Sequence, residues 1–287
     1  MTCDRLMLAA AALLVTSISP VSVQTPRFSA RVEAVRVDVL VTQHGRPVLG
    51  LTPEDFEIRD NGVRQEVSFV ALEALPLDVM VTLDLSGSVD GQRLDDLRAA
   101  STALIDSLKP GDRAGLTTFN YAVTQPRRMT SEVSGLRGAL DSAVPSGRTS
   151  LIDSIHLGVT AFESDGRHLL MVFSDGLDTA SWLTEAQVLD SVKRSQVVLY
   201  AIAVGQRRFG PRFLRDVADA SGGQLIDVER TGDLGDLFVG ILDEFRQRYL
   251  LSYIPRGADA AGWHKLEVRV RRRGVDVRAR EGYFRNE

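Results

Sequence analysis

Apolar and polar residues alternate from Val32 to Thr42. Val35, Val37, Val39 and Val41 fall on one side, and Arg36, Asp38 and Thr42 on the other. A period of two predicts a half-buried strand. Phe56 and Ile58 alternate with Glu57 and Arg59, Asp60-Asn61-Gly62 supplies a tight turn, and Val67 and Phe69 resume the pattern. Residues 54–70 therefore read as a hairpin. Further on, Leu266, Val268 and Val270 alternate with Lys265, Glu267, Arg269 and Arg271, Gly274 turns the chain, and Val275 and Val277 continue. Both flanks read as β.

Between them, from Leu77 to Arg248, strands and helices take turns. Asp78–Leu83 is mostly apolar, as a strand covered on both faces should be. Leu94, Leu97, Leu104, Ile105 and Leu108 then recur at helical spacing until Pro110-Gly111 stops them. Ala114–Phe119 reads as a second strand, with Val123–Met129 as an edge partner, and helices follow over 132–143 and 150–162. His168–Phe173 is a buried strand, and Thr184 with Gln187 forms a capping-box pair opening the next helix. Val197–Val204 and Gln224–Val228 read as strands, Pro211–Ser221 and Leu234–Arg248 as helices. This alternation predicts an α/β fold: a doubly wound, mostly parallel sheet with helices on both faces.

The organisation expected is a leader over residues 1–24, an N-terminal β segment over 31–73, the α/β domain over 77–248 and a C-terminal β segment over 249–284. Because domain ends often lie close together, the two flanks can combine into one β-sandwich-like module. The leader rests on Arg5, the apolar run Leu6–Val15 and the small and polar residues through Ser22, the layout of a secretory signal peptide. That run is too short to span a bilayer comfortably, and no later run is longer. An exported protein, periplasmic or extracellular, is the expectation. Removal of the leader takes Cys3, the single cysteine, with it.

Composition narrows the chemistry. In 287 residues, Lys+Arg number 34 and Asp+Glu 38, a net charge of -4 that offers no global attraction to nucleic acid. With one cysteine and four scattered histidines, a thiolate or imidazole metal site is not expected. The arginines at 269, 271, 272, 273, 278 and 280 alternate with apolar positions and lack interleaved aromatics. They read as the wet face of an edge hairpin, where charge discourages aggregation.

Oxygen donors gather where the strands end. Asp78–Leu83 runs into Asp84-Leu85-Ser86-Gly87-Ser88, and His168–Phe173 into Ser174-Asp175-Gly176. A third loop, Pro145 to Ser150, carries Thr149 and leads into a helix on the same rim. Strand ends form the ligand crevice of a doubly wound sheet, so Asp84, Ser86, Ser88, Thr149 and Asp175 can converge. An all-oxygen set suits a hard cation such as Mg²⁺. Neutral hydroxyls leave the ion most of its positive charge, free to attract an acidic group from outside. Asp153 and Asp178, nearby, read as a helix-face residue and a loop cap, and Asp90 and Asp95 as a solvated helix start.

Asp84-Leu85-Ser86-Gly87-Ser88, Thr149 in Gly-Arg-Thr-Ser-Leu and Asp175 in Phe-Ser-Asp-Gly resemble the three parts of the metal-ion-dependent adhesion site of von Willebrand factor type A domains. Asp112–Phe119 resembles that family's second strand. The flanking stretches Gly50–Phe56 and Tyr249–Tyr253 resemble those of bacterial secreted proteins related to this domain. The resemblance implies a Rossmann-like domain binding Mg²⁺ or Mn²⁺, with Ser86, Ser88 and Thr149 as hydroxyl ligands. It implies Asp84 and Asp175 as carboxylates often acting through water, and a protein partner whose Asp or Glu completes the metal. Asn120 stands where many members carry Ser, a non-ligand position. Arg148, beside Thr149, adds positive charge favouring acidic partners.

The reading is thus a secreted or periplasmic metal-dependent adhesion or assembly module. The alternatives are a structural scaffold with a vestigial site and a Mg²⁺-dependent hydrolase. A hydrolase with Asp84 as nucleophile would want a carboxylate where Ser86 stands, and Lys109, Lys193 and Lys265 lie outside the three loops. Ser88 as nucleophile would need a base, and no histidine falls in a rim loop. A non-enzymatic protein is expected.

Overall fold

The computed structural model describes residues 34–285 apart from 73–74, 165, 175–176, 206–211 and 259. The expected leader lies outside the described residues. The N-terminal flank forms β1 (Val35–Gln43), β2 (Arg46–Pro47), β3 (Phe56–Asp60), β4 (Val63–Gln65) and β5 (Val67–Ala71). The middle runs β6 (Leu77–Asp84), α1 (Gln92–Asp106), β7 (Arg113–Phe119), β8 (Val123–Thr130), α2 (Ser134–Asp141), α3 (Leu151–Thr160), β9 (Arg167–Ser174) and α4 (Glu185–Arg194). It continues through β10 (Val198–Val204), α5 (Arg212–Ser221), β11 (Gln224–Val228) and α6 (Leu234–Arg246). The C-terminal flank adds β12 (Tyr249–Tyr253), β13 (Gly262–Val270), β14 (Asp276–Arg278) and β15 (Gly282–Arg285).

The central sheet has the order β11-β10-β9-β6-β7-β8 and is parallel except for β8, which pairs antiparallel with β7. All eight residues of β6 are buried, which is why its sequence does not alternate. Successive side chains instead feed two separate cores. Val79, Val81, Leu169, Met171, Tyr200 and Ile202 pack with α1 and α6 on one face. Met80, Leu170, Val172, Leu199 and Ala201 pack with α3, α4 and α5 on the other. The Thr184–Gln187 box is formed: the Gln187 N–H donates to Thr184 Oγ1 at 3.3 Å and the Thr184 N–H to Gln187 Oε1 at 2.9 Å.

Strands of both flanks share two further sheets, β14-β1-β12-β5 (with β2 on β1) and β15-β13-β3-β4. Val37, Val39, Tyr249 and Leu251 of the first and Phe56, Ile58 and Leu266 of the second line one core. The α/β domain is therefore inserted between two halves of a sandwich.

Expectations change in both flanks. The hairpin over 54–70 is shorter than its alternation suggests: β3 and β4 pair around Asn61-Gly62, both at positive φ (47° and 83°). After Glu66 the chain switches sheets, and Val67 and Phe69 pair with β12. Asp60 is no turn residue but the buried end of β3. His264 Nδ1 lies 2.6 Å from its Oδ1, and Tyr253 and Tyr283 donate to its Oδ2 at 2.9 and 2.8 Å. His264, one of the four scattered histidines, is fully buried in this polar cluster.

Nor do the arginines line an edge hairpin. β13 lies between β15 and β3, while β14 leaves for β1 in the other sheet. Arg269 to Arg273 stay exposed. Arg278 donates to Gln224 Oε1, and Arg280 to the carbonyls of Gly282, Lys193 and Ser195. Burial pushes the Arg280 guanidinium down to about 10. These two residues fasten the sandwich to β11 and the end of α4, a tertiary role that alternation alone does not reveal.

Candidate metal centre

After β6 the chain passes through α1 to β7 on one side, and after β9 through α4 to β10 on the other. The winding reverses between adjacent strands β6 and β9, the point where a doubly wound sheet opens a crevice. Asp84 ends β6 there, fully buried. Its Oδ1 accepts the Ser86 N–H at 2.8 Å, and its Oδ2 the Ser174 hydroxyl at 2.7 Å. The first bond bends the chain into a tight loop, and the second ties the ends of β6 and β9 together.

That bend brings the hydroxyls of Ser86 and Ser88 to 3.0 Å from each other. Ser86 is buried and Ser88 exposed, so the pair runs from the floor of the site to its mouth. The loop before α3 is laced to this one: the Ser146 N–H donates to the Leu85 carbonyl at 2.8 Å and the Gly87 N–H to the Gly147 carbonyl at 3.2 Å. Gly147 has φ 74°, a left-handed conformation that glycine adopts without strain. Asn120 belongs to the same lacing, accepting the Ser150 N–H at 2.7 Å on its carbonyl and donating from Nδ2 to Ser146 Oγ at 3.2 Å.

Thr149 is buried between this loop and the one after β9. Its N–H donates to Thr179 Oγ1 at 3.0 Å, and its carbonyl accepts the N–H groups of Thr179 and Ala180 at 2.8 and 3.0 Å. The structure thus draws the loops bearing Asp84, Ser86, Ser88 and Thr149 onto one rim. Asp175 lies outside the described residues, though Ser174 just before it touches Asp84.

Two acids nearby hold the scaffold. Asp153 on α3 accepts the N–H groups of Trp182 and Leu183, both at 2.9 Å. Asp178 accepts the Ile152 N–H at 3.2 Å and the Ser181 hydroxyl at 2.6 Å. Arg93 donates to the Ser88 carbonyl at 3.3 Å, and Arg148 to that of Thr179. Ser174 and Thr179 were not singled out as site residues by sequence. The former sits inside the Phe-Ser-Asp-Gly motif and could have been found; the latter carries no sequence signal.

Among the described residues no three His, Cys, Asp or Glu side chains converge. The histidines are engaged elsewhere: His156 Nδ1 lies 3.1 Å from Ser191 Oγ, and His168 stacks on Phe162 with centroids 4.7 Å apart. Among the described residues, the rim presents hydroxyls around the buried Asp84 carboxylate, which accepts from a neutral amide and a neutral alcohol. That chemistry fits a hard divalent cation and not a soft one.

Residues 78–238, more than half of the chain, match the model of the von Willebrand factor type A domain. The chain belongs to that family. Its central sheet, parallel but for one edge strand and alternating with helices, is the α/β fold of that family. A relative, protein sll0103 of Synechocystis sp., is 29% identical over 30% of this chain and 21% of its own length. The match therefore covers only a small part of that protein. Among solved structures, a von Willebrand factor type A protein from Catenulispora acidiphila is similar with TM-score 0.54 and 15% identity, over 76% of this chain and 52% of the other. Proximal thread matrix protein 1 from the mussel byssus, with a zinc-occupied MIDAS motif, is similar with TM-score 0.54 and 16% identity, over 63% and 48%. At these identities the likeness is one of fold.

Proposed function

We propose that this protein is an exported, divalent-metal-dependent binding module that captures an acidic residue of a protein partner and catalyses no reaction. The observation that carries the reading is Asp84: a buried carboxylate, fixed from both sides, beneath two hydroxyls that lead to the surface. Ser86, Ser88 and Thr149 would hold the cation directly. Asp84 and Asp175 would hold it directly or through its waters. When bound, Mg²⁺ or Mn²⁺ supplies an under-neutralised positive charge for an incoming carboxylate. The family, whose members mediate protein–protein interaction, supports the partner class, and the zinc-occupied motif of the mussel protein supports a metal at this rim. Export to the periplasm or exterior rests on the Leu6–Val15 segment.

The test is thermal unfolding with Mg²⁺, Mn²⁺ or Zn²⁺, each against EDTA. At ten times Kd a ligand of the folded state adds about 1.4 kcal/mol. Wild type should gain this with one of the ions and Asp84→Ala should not. An equal gain in both proteins removes the site. No gain with any ion, together with partner capture from the native envelope fraction indifferent to EDTA, would favour a scaffold with a vestigial site.

A further inference from the structure

Among the described residues of the α/β domain, the large apolar side chains left exposed are Tyr121, Val144, Leu177 and Trp182, at 66%, 73%, 45% and 94%. All of them sit on the rim described above and none on the helical flanks or the opposite end of the sheet. Tyr121 follows β7 and covers Gly147: a Cβ built there would meet its ring at 3.1 Å. Val144 precedes the loop that carries Thr149. Leu177 and Trp182 belong to the loop after β9.

Trp182 is the most telling. Its backbone is locked, with its N–H and that of Leu183 held by Asp153, and Thr179 and Ala180 bonded to the Thr149 carbonyl. Its indole nevertheless projects almost wholly into water. A rigid backbone presenting an exposed Trp costs little entropy when a partner covers it, which is the property of an interface anchor. Arg148 reaches the loop after β9 and Arg93 the Ser88 carbonyl, adding positive charge to the same rim.

We infer that Tyr121, Val144, Leu177 and Trp182 form an apolar collar around the metal-bearing rim. The collar selects a partner segment in which the captured Asp or Glu is flanked by aromatic or large aliphatic residues. This rests on the metal-dependent capture proposed above and adds the identity of the neighbouring side chains. The central acid answers the cation and the arginines. Its neighbours answer Trp182 and Tyr121. An acid within a run of charged or small residues would gain the first attraction without the second.

The experiment is a synthetic peptide array, each peptide with a central Glu, Asp or Gln and varied flanking positions, probed with the full chain in Mg²⁺ and in EDTA. Wild type should retain acid-centred peptides in Mg²⁺ and favour Trp, Tyr, Phe or Leu beside the acid by about tenfold over Ser, the scale of a modest interface anchor. Trp182→Ala should lose most of that preference while keeping the same Mg²⁺-induced rise in Tm, and Trp182→Phe should restore part of it. Acid- and metal-dependent retention with no flanking preference, or with one unchanged in Trp182→Ala, overturns the collar alone. Retention indifferent to EDTA and to Asp84→Ala, or no retention of any acid-centred peptide, overturns the metal-capture reading and the collar with it.

Discussion

Asp38 of β1 and Arg167 of β9 form the ion pair that joins the sandwich to the α/β domain. Arg167 Nε donates to Asp38 Oδ1 at 2.8 Å, and Nη2 reaches the carbonyls of Phe245 and Arg248 at 3.0 and 3.2 Å. One guanidinium thus gathers a strand of each module and the turn between α6 and β12. Breaking a buried pair by removing one partner costs about 3–5 kcal/mol, because the other charge is stranded. Asp38→Ala should lower urea-unfolding stability by about 3 kcal/mol on that basis. Asp38→Ala with Arg167→Met should recover part of the loss. A single variant as stable as wild type would show the pair to be idle.

Acid should weaken the α/β domain in a defined window. Burial opposes the charge on Asp78 and Asp112. It is outweighed by Arg113 and Ser164 for the former, and by Arg246 and the N–H groups of Leu77 and Lys109 for the latter, so both carboxyls lie below their ordinary value of 3.8. A depressed folded value means stability that is present above the unfolded value and lost as pH falls through the folded one. The urea midpoint should therefore drop steeply below about pH 4, and Asp112→Asn, already destabilised at neutral pH, should drop less.

His168 should add an earlier and shallower loss. Burial, chiefly, holds its imidazole below the ordinary 6.5 despite Asp78 nearby. The unfolded chain then gains its proton first, so stability begins to decline as pH falls past about 6.5. His168→Gln, which keeps a donor for the Ser164 carbonyl, should erase this first step and leave the second. Midpoints measured from pH 8 to pH 3 separate the two.

Ser174 tests how far the metal site depends on its support. Its hydroxyl orients Asp84 without facing the mouth of the site. Supporting hydrogen bonds of this kind are worth about tenfold or more in metal affinity. Ser174→Ala should raise the Kd for Mg²⁺ by about tenfold, read by isothermal titration, whereas Asp84→Ala should abolish binding. Equal affinities in Ser174→Ala and wild type would show that Asp84 needs no such brace.

Asp153 should govern the order of the loop after β9. Its two carboxylate oxygens hold successive N–H groups, at Trp182 and Leu183. In Asp153→Ala, hydrogen exchange at those amides should accelerate by about tenfold per 1.4 kcal/mol of lost local stability, with β9 unchanged. Unaltered exchange would mean that the Thr149 and Ser181 contacts alone fix this loop.

Much of this was legible from residues alone, for reasons that differ by element. The buried run 78–83 and the helical spacing of Leu94, Leu97 and Leu104 announce themselves because each follows one local period. That the loops bearing Asp84, Ser86 and Ser88 and the loop before α3 share a rim was legible because the carboxyl ends of parallel strands face one edge of the sheet. The switch of Val67 and Phe69 to the other sheet was not: alternation says which side is buried, and never which strand lies alongside. Asp60 and His264, far apart in sequence, look like a turn residue and a stray imidazole until β13 is laid on β3. Thr179 escaped notice because its part is played toward backbone atoms of another loop.

The pairing of Val35 with Tyr253 makes the sandwich depend on contacts between the two ends of the described chain. The whole α/β domain separates β1 from its partner β12 along the chain, and closing so large a gap in an unfolded chain is entropically unfavourable. Once the inserted domain has folded, its ends hold β5 and β12 side by side, and the remaining strands need only zip. The sandwich therefore depends on the domain inserted in it: with the middle misfolded, β1 keeps β2 and loses the register with β12.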